Sequence, residues 1–124
     1  MTGLSINKHI YSLLSTDEQL KGVTLFPIIA TEETKYPFIL YQRVEMQPIY
    51  AKNIAVGDKV AVAFKIVSDK YNRTVEIAER VRELLELRTS ENYSQVTIID
   101  CSEEWNNDGY VQHLTFQFHC LREV

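Results

Sequence analysis

The chain has 124 residues, 45% of them apolar and 24% charged, the composition of one globular domain with a core of its own and not of a disordered tail. Acidic side chains outnumber basic ones 17 to 13 for a formal charge of −4, which argues against a general nucleic-acid binder, since phosphate neutralisation needs a basic face. No stretch reaches the ~18–20 apolar residues of a membrane helix, and Met1-Thr2-Gly3-Leu4-Ser5-Ile6-Asn7-Lys8-His9 lacks the basic-then-apolar layout of a signal peptide, so a chain that is cytosolic, or assembled in the cytosol, is expected.

In chain order, Leu4 to about Leu14 is predicted as a first helix: Ile6, Ile10, Leu13 and Leu14 share a face, and Ser5 offers an N-cap. Ser15 to Leu20 can restart a short helical turn, ended by Lys21-Gly22. Val23 to Ala30 is β-prone but contains Pro27, which cannot donate to a ladder, so an edge strand or extended segment is expected. Glu32-Glu33-Thr34-Lys35 reads as a charged loop. Tyr36 to Val44 is a strong strand with Pro37 at its start; Phe38, Leu40 and Val44 face one way, Ile39, Tyr41 and Arg43 the other. Polar residues are few on that second face, so neighbouring protein or another subunit is expected to cover it. From Glu45 to Asp58 the alternation lapses, which predicts a long loop. Its Met46, Ile49, Tyr50, Ile54 and Val56 are too apolar for a solvated tip, so it should dock on its own domain or on a partner.

The clearest stretch is Lys59 to Arg88. Val60, Val62, Phe64 and Ile66 fall on one side of a strand, and the period then lengthens to a helix stripe of Tyr71, Val75, Ala78, Val81 and Leu85, flanked by Ile77 and Leu84. Ser68, Asp69, Asn72 and Thr74 all offer caps, Glu76 and Arg80 are spaced as an i,i+4 pair, and the helix should run to about Leu87 or Arg88. Gln95 to Cys101 reads as a strand, followed by Ser102-Glu103-Glu104-Trp105. Asn106-Asn107-Asp108-Gly109 reads as a hairpin turn, and Tyr110 to Leu121 as the last strand. Leu114, Phe116, Phe118 and Cys120 line one face of that strand; His113, Thr115, Gln117 and His119 line the other. Trp105 and Tyr110 flank the turn, either as a cross-strand pair or as a contact patch between subunits. The order predicts a single α+β domain over 1–124: an antiparallel sheet of four to five strands with two helices packed on one face.

Chemistry is hard to place on this frame. His113 and His119 share a face but lie ~20 Å apart, too far for one ion. His113 with Asp100 or Glu103 could be built across strands, but a polar outer face that includes histidines is simpler, and His9 has no ligand near it in sequence. Cys101 and Cys120 lie on two arms of one hairpin in registers that keep them ~10 Å apart, beyond disulfide reach, so two reduced, mostly buried thiols are expected. Glu103 and Glu104 are adjacent on a strand and point to opposite faces, so they are no acid–base pair. No G-x-S-x-G and no phosphate-cradling glycine spacing is present. The sequons at Asn72-Arg73-Thr74 and Asn92-Tyr93-Ser94 read as chance matches without a secretory signal. No catalytic, cofactor-binding or metal residue is assigned, and no enzyme is expected.

Tyr36-Pro37-Phe38-Ile39-Leu40-Tyr41-Gln42-Arg43-Val44 resembles the P-[FY]-I-x-Y-x-R strand of phage tail-completion, or tail-terminator, proteins. The 59–67 strand, Tyr71 and Glu76-Ile77-Ala78-Glu79-Arg80-Val81-Arg82-Glu83-Leu84-Leu85 follow in the family's order. Glu104-Trp105-Asn106-Asn107-Asp108-Gly109-Tyr110 with His113-Leu114-Thr115-Phe116-Gln117-Phe118 is similar to its final hairpin. The resemblance covers almost the whole chain. It implies a structural virion protein of a tailed phage or prophage, assembled in the bacterial cytoplasm. Such a protein forms a ring, often a hexamer, that ends the tail tube and meets tail tube and head-completion proteins, with no catalytic residues, cofactor, membrane contact or specific nucleic-acid binding. The alternative from another class is a cytosolic ligand- or protein-binding module without catalytic activity.

Overall fold

Two alternating segments take the middle of the sheet because their apolar rows are sealed from water: Val60, Val62, Phe64 and Ile66 on one, Leu114, Phe116, Phe118 and Cys120 on the other. The computed structural model describes residues 2–28, 35–106 and 109–122. After a 3-10 turn at Gly3–Ser5 come α1 (Ile6–Ser15), a second 3-10 turn (Glu18–Leu20), β1 (Thr24–Pro27), β2 (Phe38–Ala51), β3 (Ile54–Ser68), α2 (Tyr71–Leu85), β4 (Tyr93–Asn106) and β5 (Gly109–Leu121). The strands order as β1-β2-β3-β5-β4. Every neighbouring pair is antiparallel except β1 with β2, so the α+β sheet is mixed and its parallel pair lies at one edge. Proline-bearing β1 is an edge strand, as its missing donor requires.

Both helices cover one face. Ile6, Ile10 and Leu14 of α1 and Ile77, Ala78, Val81 and Leu85 of α2 close over the central rows and over Ile39, Tyr41, Tyr93 and Val96. Fully burying one such side chain contributes roughly 1.5–3 kcal/mol. Edge-to-face ring pairs lock the layer: Phe64–Phe116 and Tyr93–Phe118, each with centroids 5.5 Å apart.

Several expectations are corrected. The 45–58 stretch is no loop: β2 and β3 pair through it to a two-residue turn at Lys52-Asn53, whose φ of 48° and 69° match a hairpin turn with both central residues left-handed. Register shifts at Arg43/Glu45 and Ile49/Tyr50 insert bulge residues, which reverse the face of everything beyond and hide the alternation. Of the two covers expected for the second face of β2, the chain's own protein is the one found at Ile39 and Tyr41, which pack in one core with the α1 residues Ile6, Ile10 and Leu14. On α2 the buried stripe is Thr74, Ile77, Ala78, Val81 and Leu85, with Tyr71 exposed. The helix stops at Leu85 because Glu86 turns extended and Leu87 takes φ 62°. Glu76 pairs with Arg73 instead of Arg80, whose guanidinium reaches Asp17 and Glu83. Ser5 makes no capping bond; the Thr2 hydroxyl accepts from the Leu4 amide at 3.3 Å. Cys120 is buried but Cys101 is exposed, and the register sets Cys101 opposite Leu114 and Cys120 opposite Tyr93. The expected turn at Asn107-Asp108, the end of the 23–30 segment and Glu32 to Thr34 of the charged loop lie outside the described residues; around that turn β4 and β5 close at Asn106 opposite Gly109.

Candidate assembly surfaces

The β2–β3 hairpin outruns its neighbours. Strand β1 pairs with β2 only at Phe38–Tyr41, and β5 follows β3 only as far as Gly57. Past the Val56 carbonyl, which the Arg122 amide still reaches at 3.1 Å, no further strand pairs with the two, and they project as an arm. Tyr50, 69% exposed, and Ile54, 49% exposed, make its tip apolar. The apolar content that sequence reading noted is therefore real, but it is carried by paired strands.

A buried carboxylate anchors the base of the arm. Asp58 occupies an inward position in step with Val60 and has no exposure. It accepts the Gly3 amide at 2.8 Å and pairs with Arg122, whose Nη2 lies 3.1 Å away. Burial pushes this carboxyl up, but the Gly3 amide and the Arg122 guanidinium outweigh it and hold it below its usual value. Gly3 packs so closely that an added Cβ would lie 2.5 Å from Val60 Cγ2 and 2.8 Å from Met46 Sδ. Arg43 adds a bond to the Gly3 carbonyl at 3.3 Å. Sequence reading missed this group; an aspartate in phase with an apolar strand row was the available signal.

At the opposite end of the sheet, Trp105 and Tyr110 form the expected cross-strand pair, centroids 4.7 Å apart, and Tyr71 of α2 meets Tyr110 edge-on at 5.6 Å. Trp105 is still 63% exposed. The Tyr71 hydroxyl donates to Glu103 Oε2 at 2.9 Å and Gln112 Nε2 donates to the same oxygen at 2.8 Å. Those two bonds, Gln112's first, hold the Glu103 carboxyl below its usual range. On the other face Glu104 meets His113 Nε2 at 2.8 Å, so the two glutamates diverge as their spacing requires.

The remaining histidines are spread out. His113 finds Glu104 and not Asp100 or Glu103, His119 approaches the Gln95 side-chain oxygen at 3.4 Å, and His9 bonds the buried Tyr93 hydroxyl at 2.9 Å. Burial, then the charge of Arg88, depresses the His9 pKa. Among the described residues no three His, Cys, Asp or Glu side chains converge as a metal site, and no helix is long and apolar enough to cross a membrane.

The face of the sheet opposite the helices carries an aromatic group at one corner, where Phe38 stacks on Tyr36 at 5.9 Å and meets Phe26 edge-on at 6.4 Å. Strand β4 is the free edge on the far side, and Ile99 to Trp105 are nearly all exposed along it. These surfaces offer contact area, free backbone and apolar tips, which are means of association.

No protein-family model matches the sequence, and no curated protein matches it. Fold comparison does find neighbours, 23 matching solved chains. One is a chain of the structure described as "Virion of native gene transfer agent (GTA) particle", with a TM-score of 0.65 and 12% identity over 91% of this chain and 92% of that one. The likeness runs essentially end to end and shows a shared fold.

Proposed function

We propose that this chain is a structural protein of a phage or prophage virion. More finely, it is a tail-completion or tail-terminator subunit that acts at the head–tail junction by assembling into a ring. One observation carries the reading: its fold matches, across nine-tenths of both chains, a component of a phage-like gene transfer agent virion. The 36–44 strand and the order of elements after it support the finer assignment. On this reading the partners are further copies, the tail tube protein and a head-completion protein. Assembly takes place in the bacterial cytoplasm, residence is in the virion, and no catalysis is assigned.

The surfaces suit that role. A ring is closed by heterologous contacts, in which one patch of a subunit meets a different patch of the next. The arm at one end of the sheet and the open β4 edge supply two unlike patches on one rigid body. Light scattering after gel filtration, run from low to high micromolar protein and again with the tail tube protein, tests the proposal. A closed species of fixed stoichiometry, a hexamer by the resemblance, is expected; a strict monomer under all these conditions would overturn it.

A further inference from the structure

Trp105, Tyr110 and Tyr71 line an open cleft of about 260 Å³ together with Glu103, Glu104, Val111 and Gln112. Three aromatic rings and a fixed carboxylate line one cleft whose own lining holds no lysine or arginine. Among the described residues no lysine, arginine or histidine forms an ion pair with Glu103. Its ionised form is stabilised by two donors that both fall on Oε2.

We propose that this cleft is a recognition site for an arginine side chain presented by a different protein. The electron-rich ring faces and the carboxylate favour a cation over a neutral ligand. Between the two basic side chains, the planar, weakly hydrated guanidinium stacks on an indole and matches a carboxylate edge, which an ammonium does not. The chain's own arginines are an unsuitable source. Arg43 bonds the Gly3 carbonyl, Arg73 pairs with Glu76, Arg80 with Asp17, Arg82 with Glu86, Arg88 bonds the Leu84 carbonyl and Arg122 holds Asp58. A second copy would give up one of these contacts to fill the cleft, a small cost for the exposed Arg82 pair, whereas another chain with an unpaired arginine gives up none. All of the site's residues belong to one subunit, but Glu103, Glu104 and Trp105 stand on the β4 edge that the ring reading also uses, so self-association is measured beside binding.

The sole tryptophan of the chain is Trp105, so intrinsic emission reports on the cleft directly. The full chain is titrated with N-acetyl-arginine amide, N-acetyl-lysine amide and the neutral isostere N-acetyl-citrulline amide. A saturable emission change is expected with arginine, at least about fivefold weaker with lysine and absent with citrulline. Glu103→Gln should weaken arginine binding by about tenfold or more with an unchanged far-ultraviolet circular dichroism spectrum. Tyr71→Phe, which keeps the ring and loses the bond to Glu103, should weaken it by about two- to fivefold. Citrulline equal to arginine, Glu103→Gln equal to wild type, or no saturable response overturns the proposal. Loss of self-association in Glu103→Gln, read by sedimentation on the same samples, overturns it in favour of a second copy as the occupant.

Discussion

Asp58 shows how one side chain can tie a backbone amide ahead of α1 to a guanidinium just past β5. Its oxygens satisfy the Gly3 amide and the Arg122 guanidinium inside a region closed to water. Removing them strands a buried donor and a half-buried cation. Asp58→Ala should therefore lower unfolding free energy by about 2–4 kcal/mol in urea titration. Asp58→Asn, which keeps an acceptor for Gly3, should cost less. Folding holds the Asp58 carboxyl below its usual value, as the Arg80 bond does for Asp17. The unfolded chain then binds more protons than the folded one in acid. Stability from these pairs is complete above the unfolded carboxyl value of about 4 and declines as pH falls through the folded values. Urea midpoints measured from pH 6 down to pH 3 should drop across that window, and Asp58→Asn should flatten the drop.

Strands and helices differ in how far their residues disclosed them. Helix α2 was legible because a stripe repeating every three to four residues survives a small error in phase: Thr74 and Ile77 replace Tyr71 and Val75 in the buried row, and the C-terminal end moves back to Leu85, ahead of a left-handed Leu87. The β2–β3 hairpin was half hidden. Period-two alternation is destroyed by a single inserted residue, and the pair carries two, Val44 in β2 and Val56 in β3. Lys52-Asn53 also lacks the glycine that usually marks a two-residue turn. The tip of this arm yields a prediction: Tyr50→Asp should weaken ring assembly by tenfold or more while shifting the monomer's unfolding free energy by less than about 0.5 kcal/mol, because Tyr50 is mostly exposed. Equal losses in sedimentation and in urea titration would assign the tip to the core instead.

For the molecule as a whole, the layered architecture followed from its element order, since two amphipathic helices and a half-apolar sheet can bury their apolar faces only against each other. The parallel pairing of β1 was not legible, because four residues at an edge carry no directional signal in their side chains. The surfaces were only partly legible: Trp105 and Tyr110 were visible as a pair, but Tyr71 and Glu103 join them through the fold, from elements 32 residues apart. If the chain assembles as proposed, its stability depends on concentration by mass action. The melting midpoint should rise with protein concentration in the wild type and stay level in Tyr50→Asp, a comparison that scanning fluorimetry over a hundredfold range can make.

The Asp58 contact also bears on the order in which the chain folds. Its partners lie 55 and 64 residues away on either side, so closing both contacts requires two large loops and the sheet between them to be in place. A group that can be satisfied only when both flanks of the chain have arrived stabilises the finished structure more than the route to it. Asp58 is therefore expected to act as a latch: Asp58→Asn should speed unfolding more than it slows refolding when both rates are followed by stopped flow in urea.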